Sequence, residues 1–431
     1  MGKRKLVVPI AAPEAADADR FGPKAANLAR LGHARLPIPD GFCVDADAYR
    51  GQLAAAGLEV HARRITSPEP GEARRAALAM KLGLLDGPIE RDVLEALLDA
   101  RQALSAASGA PIVVRSSALV EDRFGSSFAG QFESYLDLEG EDEFLTAVRS
   151  CWAALWATRV LRYMATHDAS PADTAMAVLV QPLVAARAAG GGLSRTAEGD
   201  MVLTSTKGLG AAIAQGEVVP DRFVLSRSGT LRAASVGRVS HGPACSHGLR
   251  ATRRARKPER SLDATRVLEL GALLRKVEDL MGMPVEIEWA LDDAGFKLLQ
   301  ARPLHLEPAA ASATVADEIW LRHPGLNGHP AGVGWGSGRA CVVNCECELS
   351  RVGPGDILVT KVAGPFLSQV LTRVAGVVAE LGGSTSHLAS LARERGIPAV
   401  FGVLEATKRI PDGAQVAVDG IAGVVRWIPA T

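Results

Sequence analysis

Aromatic residues are scarce in this chain, 4% of its 431 positions, although hydrophobic residues as a whole reach 48%. A core with so few large rings must be filled by Ala, Val and Leu. A net charge is missing as well, because 48 Lys and Arg balance 48 Asp and Glu. No overall field therefore draws the protein to nucleic acid or to an anionic membrane. The one basic run, Arg253-Arg254-Ala255-Arg256-Lys257, has no aromatic residues interleaved and is followed by Pro258. It reads as a solvated loop.

Cysteine is also sparse, and six in a chain of this length are too few for a disulfide scaffold. Long apolar runs are lacking: the opening MGKRKLVVPIAAPEAADAD offers too short an apolar run for a signal peptide. The stretch from Ala175 to Ala186 contains Gln181 and Pro182 and falls short of the roughly 20 residues a spanning helix needs. These features predict a cytoplasmic protein with no membrane segment. In CVVNCEC the three cysteines Cys341, Cys345 and Cys347 do not form a CxxC pair. Their alternation predicts a strand that carries them and Val343 on one face, as buried structural cysteines rather than zinc ligands.

The length exceeds what one core organises. The segment LEPAAASATVADE, Leu306 to Glu318, is rich in small residues and separates two well-patterned regions, which marks a linker. The expected division is residues 1–307, a linker at 308–319, and a C-terminal domain at 320–431.

The sharpest motif is ELGGSTSHLASLARERGIPAVFG, Glu380 to Gly402. The apolar stretch Ala375 to Leu381 predicts a strand, Gly382-Gly383 a tight turn, and Ser384, Thr385 and Ser386 the cap of a helix. That helix should bury Leu388, Leu391 and Ala392 and stop at Gly396, with Pro398 just beyond. His387 then lies in its first turn. There the dipole keeps imidazole neutral, and the unpaired N–H groups can hold the oxygens of a phosphoryl group.

This segment resembles the phosphohistidine swivelling domain of the PEP-utilising enzymes, the group of phosphoenolpyruvate synthase, pyruvate phosphate dikinase and rifampin phosphotransferase. GDILVTKVAGP before it and DGAQVAVDGIAGVV after it extend the match over most of 320–431. The resemblance places His387 on the family's phosphocarrier histidine, with Thr385 beside it in the catalytic set.

The N-terminal part resembles the ATP-grasp nucleotide-binding domain of the same enzymes, beginning with FGPKAANLARL and LPIPDGFCVDADAYR. Lys24 keeps the register of a phosphate-contacting lysine, in a loop that Pro23 stiffens. In VVRSSALVEDRFGSSFAGQFESYLDL, Arg115 offers a bidentate donor, and the small residues around Ser127 let backbone N–H groups approach a polyphosphate. Gly208 and Gly210 in GLGA complete the nucleotide set. The family has a carboxylate where this chain has Ala211, and its GV-x-FT-x-x-P segment appears here as GGGLSRTAEG, which includes Gly191 and Ser194.

The third motif, PVEIEWALDDAGFKLLQARP, reads as a hairpin turning through Asp293-Ala294-Gly295. Ile287, Trp289 and Leu291 should point to the core, with Glu288 opposite Gln300 and Glu286 opposite Arg302. The resemblance makes Glu288 and Gln300 ligands of Mg2+, and Arg302 a phosphate-binding and catalytic arginine.

The implied fold class is a multidomain α+β or α/β protein: a bilobal ATP-grasp domain followed by a β/β/α phosphohistidine swivelling domain. The implied activity is an ATP-dependent phosphotransferase that phosphorylates its own His387 and releases AMP. The acceptor is expected to be a small molecule or a separate acceptor-binding subunit, because the resemblance does not extend to the family's barrel or drug-binding domain. A nucleotide-binding regulatory protein that keeps the fold without turnover is the alternative.

Overall fold

Strand-forming runs that are apolar on both faces, Ile112–Ala118 and Met176–Pro182, are buried along almost their whole length in the computed structural model. The structure describes residues 5–65, 69–121, 128, 130–167, 169–239, 260–304 and 320–429. The linker from Leu306 to Glu318, the basic run at Arg253 and Ser127 lie outside the described residues.

Two units divide the chain without following it in simple order: one takes Met1–Ala185 with Lys297–Arg302, and the other takes Ala186–Phe296 with Pro303–Thr431. In the first unit the strands are β1 (Val7–Pro9), β2 (Phe42–Val44), β3 (Ile112–Ala118), β4 (Ser134–Leu138) and β5 (Met176–Pro182), in the order β1-β2-β5-β3-β4. Every neighbouring pair is antiparallel. The helices that pack on this sheet include Ala18–His33 and Glu141–Ala154, whose buried faces carry Leu28, Leu31, Phe144, Val148 and Trp152.

Helix Ala18–His33 is broken at Gly22, whose φ of 73° and ψ of 158° are not helical. A Cβ at this position would meet Ser117 O at 2.3 Å, so only glycine lets the backbone come so close to β3. Pro23 opens the second stretch, where its missing N–H costs nothing. The residues expected to form a stiffened loop around Lys24 are therefore the start of a helix.

The second unit contains two sheets. The strands β6 (Ala188–Leu193), β7 (Met201–Lys207), β9 (Asp221–Leu225), β10 (Leu231–Ser235) and β12 (Val285–Asp292) run in the order β10-β9-β7-β6-β12, all antiparallel. The short pair β8 (Val218–Val219) and β11 (Arg238–Val239) stands apart. Ile287, Trp289 and Leu291 of β12 are buried as their alternation predicts. The next strand, β13 (Gly295–Pro303), begins after two residues, and Gly295 has a φ of 122°. From Lys297 to Arg302 it belongs to the first unit.

The other sheet has eight strands: β14 (Gly325–Asn327), β15 (His329–Pro330), β16 (Trp335–Val343), β17 (Ile357–Thr360), β18 (Gly376–Ala379), β19 (Ala399–Phe401), β20 (Gln415–Asp419) and β21 (Val424–Trp427). Their order is β14-β21-β20-β16-β17-β18-β19-β15. β16 is the hinge of the topology. Its first half pairs antiparallel with β20 and its second half parallel with β17. β17, β18 and β19 continue in parallel around a core of Val359, Val378, Val400, Val418 and Trp427.

The expectation for the cysteines is corrected here. β16 ends at Val343, and Cys345 and Cys347 lie beyond it, joined to each other by a disulfide. Cys345 caps a short 3-10 helix, Glu346–Arg351. The apolar–polar alternation stops being a strand because the chain turns at Asn344, whose N–H donates to Glu348 Oε2 at 2.7 Å.

Candidate functional site

His387 is the first residue of helix His387–Glu394, and Ser386 caps it, its Oγ accepting from Ala389 N at 3.3 Å. The helix follows β18 through Gly382 and Gly383, as the sequence predicts, and Leu388, Leu391 and Ala392 form its buried face. The imidazole is half-buried. It stands at the positive end of the helix dipole, which favours an anion there.

Thr385 does not face open solvent. Its Oγ1 lies 2.6 Å from Oγ1 of Thr204 on β7, and its side chain rests against Gly191 of β6. A Cβ at Gly191 would stand 2.6 Å from Thr385 Cβ. The backbone at Gly191 is itself fixed, with its N–H donating to Thr204 Oγ1 at 3.2 Å and its carbonyl accepting from Trp289 Nε1 at 3.1 Å. The glycine run that looks in sequence like an eroded family segment thus makes the seat for Thr385, for three glycines in a strand permit close approach of another backbone or side chain. Ser194, the hydroxyl retained from that segment, is buried and accepts from Val285 N at 2.8 Å.

A second tie runs from β12 to the His387 helix. Glu286 Oε2 accepts from Arg393 Nη2 at 3.1 Å, and Ser390 Oγ donates to both carboxylate oxygens at 3.1 and 3.0 Å. Arg393 Nη1 in turn donates to Ser384 O at 2.5 Å and to Ala331 O at 3.3 Å. One guanidinium therefore fixes the loop before His387 and the helix after it. Sequence reasoning missed Thr204, Ser390 and Arg393. The only signal for Arg393 is a charged residue on the apolar face of a short helix, which implies a buried partner.

Gly208 and Gly210 follow β7, and Gly210 precedes the short helix Ala211–Ala214. Gly208 has a φ of 77° and its N–H donates to Arg187 O at 3.0 Å. Glu288 is half-buried on β12.

The first unit gathers Lys24, Arg115, Gln300 and Arg302. Arg115 on β3 donates through Nη1 to Leu299 O at 2.5 Å and through Nη2 to Gln300 Oε1 at 3.0 Å. Lys24 Nζ donates to Ser116 O at 2.7 Å and lies 3.2 Å from Glu121 Oε2. Glu121, which sequence reasoning missed, is buried and also accepts from Ala118 N at 3.0 Å. Arg302 is buried at the end of the same segment, anchored by Asn27 Nδ2 donating to Ala301 O at 3.2 Å. The arrangement sets the guanidiniums of Arg115 and Arg302 and the amide of Gln300 on segments 112–118 and 297–302, with the ammonium of Lys24 on helix Ala18–His33 reaching Ser116 of the first, a set suited to a polyphosphate. Gln300 Oε1 has two lone pairs, so it can serve Arg115 and still face a cation.

The model of the pyruvate phosphate dikinase AMP/ATP-binding domain matches residues 18–322, and that of the mobile domain of PEP-utilising enzymes matches residues 352–423. Phosphoenolpyruvate synthase of Aeropyrum pernix is 33% identical, over 94% of this chain and 56% of its own length. The enzyme of the same name from Pyrococcus furiosus is 31% identical over 95% of this chain and 57% of its own. That of Escherichia coli is 30% identical over 96% and 56%. The chain thus spans little more than half the length of these relatives. Among the described residues, no helix is long and apolar enough to cross a membrane.

Proposed function

The chain belongs to the family of PEP-utilising enzymes of the pyruvate phosphate dikinase type, and from that premise we propose that it is an ATP-dependent phosphotransferase, or a part of one, that phosphorylates its own His387. The observation that carries this reading is the position of His387 at the capped N-terminus of a helix behind a Gly-Gly turn, in a family whose mobile domain matches the same residues.

On this reading residues 1–307 are an ATP-grasp domain and 320–431 a phosphohistidine swivelling domain, with 308–319 as the linker. Arg115, Lys24, Arg302, Gly208, Gly210 and Ser127 bind the nucleotide. A ring nitrogen of His387 attacks a phosphorus of ATP while the guanidiniums of Arg115 and Arg302 neutralise charge that develops on the phosphate oxygens. With attack at the β-phosphorus AMP leaves, a water molecule then takes the terminal phosphoryl group off the ring-bound pyrophosphoryl as phosphate, and the remaining phosphoryl group stays on the ring until a small molecule or a partner subunit takes it. Thr385, held by Thr204 beside Gly191, orients the loop that presents the imidazole.

Glu288 and Gln300 offer the hard oxygen donors that would hold Mg2+, which would draw charge from phosphate oxygens. Among the described residues there is no cluster of three acidic, His or Cys side chains that would cage a metal.

The test uses purified protein, Mg2+ and ATP labelled at the β-phosphate. Acid-labile label on the protein, formation of AMP, and loss of label in His387→Ala are the expected results. ADP as the sole nucleotide product would overturn the AMP-forming route. Nucleotide binding with no label on the wild-type protein would instead favour a binding protein without turnover.

A further inference from the structure

We propose that Cys345 and Cys347 are a solvent-facing thiol–disulfide couple, a redox-modification site that exchanges with low-molecular-weight thiols and disulfides. The cysteines among the described residues fall into two groups, and Cys245 lies outside the described residues. Cys43, Cys151 and Cys341 are free and buried, and burial pushes the thiols of Cys43 and Cys151 up to about 12 and raises that of Cys341. Such thiols are poor nucleophiles near neutral pH. Cys345 is half-buried, Cys347 is exposed, and these two are bonded to each other.

A single residue, Glu346, separates the pair. Closing so short a loop removes little entropy from the unfolded chain, so the bond contributes little to folding stability. A disulfide that is exposed and contributes little to the fold belongs to the labile kind rather than the structural kind.

The surrounding frame keeps both sulfurs together even when they are reduced. Asn344 N donates to Glu348 Oε2 at 2.7 Å, and Glu348 N donates to Cys345 O at 3.1 Å. Arg351 then pins the end of the turn, donating to Val342 O at 3.1 Å and to Asp412 Oδ2 at 2.6 Å. None of these bonds needs the disulfide. The turn pre-forms the dithiol, and the second exchange step becomes intramolecular with a high effective concentration.

The pair also has a distinctive address. β16, β17 and β18 run parallel and adjacent, so their C-terminal ends, Val343, Thr360 and Ala379, lie at one edge of the sheet. Cys345 follows the first of these ends, and the Gly382-Gly383 turn to His387 follows the third. The short helix Pro365–Gln369 packs against both the Glu346–Arg351 turn and the His387 helix.

The chemistry balances as ordinary thiol–disulfide exchange. The thiolate of Cys347 attacks one sulfur of a low-molecular-weight disulfide such as oxidised glutathione, forms a mixed disulfide and releases one thiolate. The thiolate of Cys345 then attacks Cys347 Sγ, closes the protein disulfide and releases the second. The two protons lost by the cysteines go to the two released thiols. The reverse sequence reduces the pair. This exchange is independent of phosphoryl transfer at His387.

The experiment equilibrates the full chain in glutathione buffers of graded ratio, quenches with acid, alkylates and measures the mass of each cysteine peptide. The 345–347 peptide should pass from doubly alkylated to unalkylated in one two-electron transition, while Cys43, Cys151 and Cys341 stay reduced throughout. Cys345→Ser should instead accumulate a stable glutathione adduct on Cys347. A pair that remains dithiol in fully oxidised glutathione, that ends as two separate adducts, or that resists millimolar reductant in the folded protein would overturn the proposal.

Discussion

Glu286 and Arg393 stand 107 residues apart in sequence and 3.1 Å apart in space, with side chains 7% and 5% exposed. A buried ion pair of this kind is a weak source of net stability but costly to break from one side. Arg393→Met leaves Glu286 without the guanidinium and also releases Ser384 O and Ala331 O. The expected loss is about 3 kcal/mol, seen as faster hydrogen exchange of amides 387–394. Glu286→Leu combined with Arg393→Met should recover most of that protection. Equal loss in the single and double variants would show that the pair is not the cause.

Gly191 is the seat of Thr385, so side-chain volume there should act on the His387 loop. Gly191→Val is expected to cost about 1–3 kcal/mol by overpacking and to slow His387 labelling at least tenfold, an order-of-magnitude figure for a displaced reacting group. Gly191→Ala should be milder, since it adds one carbon against the threonine. Rates of β-phosphate labelling with melting temperatures decide the matter. A valine variant that labels at the wild-type rate would separate the seat from function.

Gly22→Ala places a Cβ 2.3 Å from Ser117 O on a backbone with φ 73°. The strain and clash should destabilise the first unit by about 1–3 kcal/mol, measured by urea unfolding. Because Lys24 lies two residues on, ATP affinity should fall with it in a calorimetric titration. A loss of stability with affinity unchanged would show that Lys24 does not contact the nucleotide.

Glu121 is buried and Lys24 half-buried beside it, which makes Lys24→Met ambiguous taken singly: it removes a ligand for phosphate and strands a carboxylate. Glu121→Gln with Lys24→Met removes both charges and should restore much of the stability while leaving ATP binding weak. If the double variant binds ATP as tightly as the native chain, the ammonium serves only Glu121.

His329 is held far below its ordinary value of 6.5, at about 4, first by burial and then by the guanidiniums of Arg222 and Arg238. The ring is thus neutral in the folded protein near pH 7. An unfolded chain binds more protons than the folded one between about pH 6.5 and 4, so stability should be greatest above this window and fall as the pH drops through it. His329→Gln is expected to flatten that part of the pH–stability curve. A ring that titrates near 6.5 by NMR in the folded protein would contradict the arrangement.

What could be read from the sequence was local. The Gly-Gly turn, the Ser386 cap and the apolar spacing of Leu388, Leu391 and Ala392 located the His387 helix, because capping and amphipathic period act over one or two turns. The alternation in EIEWAL gave the buried face of β12 in the same way. The CVVNCEC alternation misled, since two-residue periodicity continued past the point where Asn344 turned the chain.

The sequence by itself determined the helix that carries His387, the buried face of β12 and the family to which the chain belongs. Tertiary structure alone decided that Glu286 faces Arg393, that Thr385 rests on Gly191, that Glu121 takes Lys24, and that residues 297–302 leave their strand's beginning to join the first unit. Local rules are written in neighbours a few positions apart, where backbone geometry fixes which side chains share a face. The partner of a buried charge or the occupant of a missing side chain depends on which distant segments pack together, and no spacing along the chain encodes that contact.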